Sequence, residues 1–96
     1  MFNYANQKPS HEYSVYFGTT MGRIAVYADG IVLKTGRKDI PVRSNYVESV
    51  SREQGEALLG KIVVDINYFD MFGNRESCQV KMRENDYLAL KKDLGK

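Results

Sequence analysis

The chain has 96 residues and one cysteine, a size that fits one domain with a modest core. Its 43% hydrophobic and 27% charged content excludes wholesale disorder. The net charge of +2 is too small to argue by itself for nucleic acid or membrane.

Cys78 has no partner for an internal disulfide, so a reducing compartment is expected. The first nine residues are polar, with no apolar core of a signal peptide. No apolar stretch approaches the ~20 residues a bilayer span requires. These features predict a cytoplasmic location.

In chain order, residues 1–11 read as a flexible, polar lead-in, and a single domain is expected over 12–95. Tyr13, Val15 and Phe17 alternate with polar positions, and Gly18 closes that run. Residues 22–28 carry Ile24 and Val26 on one face. Asp29-Gly30 between apolar runs is a strong hairpin signal, and Ile31, Val32 and Leu33 open the next strand. Residues 35–38 form a second turn. A short strand over 39–43 holds Ile40 and Val42. Pro41 within it marks an edge or a bend, because proline lacks the N–H that a central ladder needs. Residues 46–50 are a further extended run, and 51–60 read as a loop with room for one helical turn.

Residues 61–69 give the clearest strand, with Ile62, Val64, Ile66 and Tyr68 on one face. Phe72-Gly73-Asn74 closes a hairpin. The return strand over 75–83 points Cys78, Val80 and Met82 inward. The period then changes. Tyr87, Leu90, Lys91 and Leu94 follow helical spacing, Leu88 widens the apolar stripe, Asn85 is the expected N-cap and Gly95 ends the helix. The expected fold is mainly β: about seven short antiparallel strands in a bent sheet or partly open barrel, capped by one C-terminal helix.

Residues 22–33 (GRIAVYADGIVL) and 39–42 (DIPV), continued by 46–50, resemble the strand–turn–strand opening and following strand of the pleckstrin-homology-like superfold, which includes PH and GRAM domains. The likeness runs over about residues 12–95. It implies two antiparallel sheets bent into a partly open barrel with a C-terminal helix plugging one end. The tryptophan common in the helix of eukaryotic PH domains is absent; Tyr87 or Leu90 takes its packing role. Within the superfold the pattern bears a faint likeness to the archaeal taxis protein CheF, a family that links the chemotaxis response regulator to the archaellum motor.

Side chains that carry chemistry are sparse. His11 stands alone in the lead-in with no neighbour in sequence to orient it. Cys78 lies on an inward strand position and reads as a small buried hydrophobe. Asp65 and Asp70 come from one hairpin region; they either pair or sit on a solvated face. No phosphate-cradling glycine motif, C-x-x-C pair or H-E-x-x-H is present. The expectation is a chain without catalytic residues, cofactor or metal.

Charge is more informative. Residues 23–43 hold five basic side chains against two acidic ones, and residues 44–76 hold three against six. Lys34, Arg37 and Lys38 flank a turn comparable to the one that binds phosphoinositide headgroups in PH domains. They either hold an anionic lipid or phosphate or form a solvated turn that discourages edge pairing. Phe69, Met71 and Phe72 sit around a hairpin tip, where large apolar residues are uncommon. They either anchor a partner or membrane surface, or fold back over the end of the barrel. Seven tyrosines near basic residues also admit stacking of single-stranded bases. The preferred expectation is a non-catalytic protein-recruitment module anchored by Phe69, Met71 and Phe72. Anionic lipid or phosphate at Lys34, Arg37 and Lys38 is the alternative, and nucleic acid is the least favoured. A strand edge also leaves room for homo-oligomers.

Overall fold

Alternation of side chains sets the architecture seen in the computed structural model, which describes residues 4–55 and 59–96. Seven strands form in sequence: β1 (His11–Phe17), β2 (Thr20–Tyr27), β3 (Gly30–Lys34), β4 (Asp39–Arg43), β5 (Val47–Arg52), β6 (Lys61–Phe69) and β7 (Arg75–Arg83). One helix, α1 (Glu84–Leu94), follows. All strand pairs are antiparallel, in the order β4-β3-β2-β1-β7-β6-β5. The molecule is thus one open, mainly β sheet with a C-terminal helix, and β4 and β5 are its two edges.

The sheet bends at its middle. β6 and β7 pair over the whole of both strands, from Lys61↔Arg83 to Phe69↔Arg75. β1 meets β7 at the single register pair Tyr16↔Lys81. The halves on either side of that junction share one core. Val15, Ile24, Ile31, Leu33 and Val42 from one half meet Val47, Val50, Val64, Ile66, Val80 and Met82 from the other. All of these are buried because period-two alternation directs one set of side chains inward from every strand.

The helix covers this core with Tyr87 and Leu90, both buried, and with Ala89 and Leu94 at the margin. Tyr87 and Leu90 both lie on the apolar stripe expected from the helical spacing. Leu88 faces outward, 56% exposed. Gly95 ends the helix at φ 70°, and its N–H reaches the carbonyls of Lys91 and Lys92.

Three local expectations are corrected. Asn85 is not the N-cap. The chain passes straight from β7 into the helix through extended Arg83 (φ −68°, ψ 144°), with no side-chain cap. Glu84 and Asp86 supply negative charge to the first turn, and Glu84 pairs with Arg52. Residues 44–46 form a 3-10 turn, and β5 starts at Val47 and continues through Arg52, two residues past the expected end. His11 is the first residue of β1, paired with Val26. Of the loop read over 51–60, residues 56–58 lie outside the described residues.

Candidate functional site

An open groove of about 280 Å³ lies between the edge strand β4 and the end of β6 with its following turn. Residues 38–43 form one wall, and Tyr46 with residues 68–71 form the other. All five residues of β4 take part, together with Lys38 just before it. Both side-chain parities are therefore present, and the groove runs along the edge of the strand rather than across one face.

The turn beyond β6 is built by its own side chains. Asp70 accepts hydrogen bonds from the N–H groups of Phe72 (2.9 Å) and Asn74 (2.8 Å). Its own N–H donates to the Asn74 carbonyl at 2.9 Å, and Gly73 turns the chain at φ 81°. Arg75 stacks on Phe69 at 5.6 Å and pairs with Glu48 at 2.9 Å, tying the hairpin to the irregular register at the start of β5. The apolar residues of this fixed turn stay in solvent: Met71 is 57% and Phe72 81% exposed. Tyr46, on the 3-10 turn, is 40% exposed.

The two residue sets singled out in the sequence converge here in part. Phe69 and Met71 line the groove, and so does Lys38 of the basic turn. Phe72 projects from the tip without lining it. Lys34 and Arg37 line a second, shallower depression with Arg23 and the exposed Met21, and Lys38 borders both hollows. Lys34 and Arg23 are engaged with Glu12, at 3.7 and 3.3 Å. Arg37, Lys38 and Arg43 have no carboxylate within ion-pair distance among the described residues. The turn that carries Arg37 and Lys38 is held by Thr35, whose hydroxyl donates to the Lys38 carbonyl at 3.1 Å and accepts from the N–H groups of Arg37 and Lys38.

Sequence reasoning missed Tyr46, Tyr68 and the apolar residues of β4 as groove walls. They meet only because the sheet bends. Pro41 in a short run was the one signal that this strand is an edge.

The remaining candidates fall elsewhere. Asp65 accepts from Gln79 at 3.2 Å, while Asp70 is bound into its own turn. Cys78 packs against the core, and burial raises its thiol pKa. Tyr13, Tyr27, Tyr68 and Tyr87 are buried. His11 does have an orienting partner, brought from the far end of the chain: its Nδ1 lies 3.2 Å from Asp93 Oδ2. The same oxygen accepts from the Tyr13 hydroxyl at 2.7 Å. Burial, then the Asp93 bond and charge, push the Tyr13 pKa well up. Among the described residues there is no metal-ligand cluster and no helix long and apolar enough to cross a membrane. Compared with known proteins, the sequence matches no protein-family model and no curated protein.

Proposed function

We propose that this chain is a non-catalytic, PH-like binding module that recruits a protein partner through the groove beside β4. The carrying observation is the cluster of apolar side chains around one hollow: Tyr46, Met71, Ile40 and Phe69 line it, and exposed Phe72 projects from the adjoining tip. Apolar surface held out on a stiff turn is the kind of feature a partner's side chains cover. Hairpin-linked strands bent around one core, with a C-terminal helix packed on it, support the PH-like architecture. The test is affinity capture from the native cell with the wild-type chain and with Phe72→Ala and Met71→Ser. Both sites are exposed, so the circular dichroism spectrum stays unchanged. A protein held by the wild type and lost with both variants is the expected result. Capture that neither substitution weakens overturns the assignment.

One observation favours a second reading. Arg37 and Lys38, without an ion-pair partner among the described residues, stand beside the exposed Met21, an arrangement suited to an anionic lipid surface or a phosphate group. Salt-sensitive sedimentation with phosphatidylserine vesicles, abolished by Arg37→Glu with Lys38→Glu, supports it. Absence of vesicle binding at low salt removes it.

A further inference from the structure

We propose that the outer face of β2 and β3 is a second docking surface, which fits an aromatic side chain on an extended segment and which the chain's own N-terminal segment covers in cis. Alternation gives every strand an outward set of side chains, and that set is ordinarily polar where an antiparallel sheet faces water. On β2 and β3 it is apolar. Ala25, Tyr27 and Val32 point away from the main core and form a separate cluster, with exposures of 0, 6 and 0%. The register sets Ala25 against Val32, and Val32 against Pro41 of β4, so an apolar row crosses three strands.

The cover among the described residues is Tyr4. It packs on the cluster, with its ring centroid 5.9 Å from that of Tyr27 and the two rings tilted at 50°. Its hydroxyl donates to Asp39 Oδ2, at the start of β4, at 3.4 Å. The path of the chain brings it there. Just before β1, the N–H and the hydroxyl of Ser10 both donate to the Val26 carbonyl, at 2.7 and 3.2 Å. A turn closed by the Gln7 N–H on the Tyr4 carbonyl, at 3.1 Å, then sets Tyr4 over the outer face. Residues 5–8 between these anchors are exposed. A segment held by one half-buried ring and by solvent-exposed hydrogen bonds opens at a lower cost than the barrel it lies on. Its contacts are also those of recognition: ring on ring, and hydroxyl on carboxylate. The covered surface therefore fits what covers it, an extended segment anchored by tyrosine or phenylalanine. Such a visitor competes with Tyr4, and its affinity for the wild type is reduced by the fraction of molecules in which the segment is lifted.

The test is selection from a phage-displayed library of random peptides on the full Tyr4→Ala chain, immobilised through its C-terminus, followed by fluorescence anisotropy with the best synthetic peptide. An unchanged circular dichroism spectrum reports that the variant is folded. Selected peptides are expected to carry an aromatic residue and to bind Tyr4→Ala about tenfold more tightly than the wild type. Tyr4→Phe keeps the ring and drops the bond to Asp39, and is expected to fall between them. Equal affinity for the wild type and both variants overturns the cis cover. Binding that survives replacement of the peptide's aromatic residue by alanine overturns the ligand chemistry. Peptides lost with Met71→Ser belong to the groove beside β4 and overturn the second surface, as does a Tyr4→Ala chain that retains no peptide.

Discussion

Replacing Tyr13 with phenylalanine removes one hydroxyl that joins the first strand to the last helical turn. Tyr13 is 8% exposed, and its hydroxyl donates to Asp93 at 2.7 Å across 80 residues of sequence. A hydrogen bond to a charged group contributes about 1.5–3 kcal/mol. The lower side applies here. Asp93 as a residue is exposed, although its side chain is only 17% so, and after the substitution it keeps His11 at 3.2 Å and access to water. The expected loss is about 1 kcal/mol, a fall in Tm of about 4–8 °C for a domain of this size. Urea unfolding followed by far-ultraviolet circular dichroism measures it. Asp93→Ala should cost at least as much, because it strips both β1 contacts, and the double variant should cost less than the sum. Strict additivity, or a Tyr13→Phe loss under about 0.3 kcal/mol, would show that the bond does not hold the helix to the strand.

Four further outcomes are expected. Leu90→Ala empties a fully buried position where α1 meets the core, and should cost about 2–5 kcal/mol in the same urea assay. Gly22→Ala should fail to give a folded chain on expression, since a Cβ there strikes the Lys34 carbonyl oxygen and lies 2.7 Å from the Phe17 ring. Stability should fall in alkali. Burial raises Cys78 above its ordinary 9.0, and burial with nearby negative charge raises Tyr13 and Tyr68 above 10.0. The folded state then binds more protons than the unfolded state, so stability is full below about pH 9 and lost as pH rises from there; denaturant titrations between pH 7 and 11 read this directly. Pro41→Val restores a donor on the open edge of β4 without touching the ladder to β3. Stability should change by less than about 1 kcal/mol, while self-association by sedimentation velocity should rise.

The strands and the helix were legible because their signals are local. Nine residues of strict alternation in β6 and the helical spacing of Tyr87, Leu90 and Leu94 each specify a buried face without reference to anything distant. The helix start was not legible in the same way. Asn85 has the chemistry of a cap, yet the chain enters the helix at Glu84, where Arg52 from β5 pairs with it. That tertiary partner lies 32 residues back and leaves no mark in the local pattern. The groove was half legible for the same reason. Phe69, Met71 and Phe72 announce themselves as apolar residues at a turn. Tyr46 and the wall of β4 do not, since their meeting depends on how far the sheet bends. His11 shows the limit most clearly, because its partner Asp93 lies 82 positions away.

On the proposed reading, a partner is held by side chains around the groove and not by backbone pairing at either sheet edge. β4 has five residues, with charged residues at both ends and Pro41 at its centre. β5 has six residues, is irregular in register between Val47 and Ser49, and ends on a charged arginine that is tied to the helix. Short length, bulges, proline and charge are the devices by which open sheets avoid pairing with one another. A chain that blunts both edges and still keeps Met71 and Phe72 in solvent on a turn fixed by Asp70 is not minimising its exposed apolar surface everywhere. The Asp70 hydrogen bonds and Gly73 hold that turn in one shape. Stiffness at that tip lowers the conformational entropy lost when a partner covers it. The same side chains on a mobile loop would bind more weakly for the same contact area.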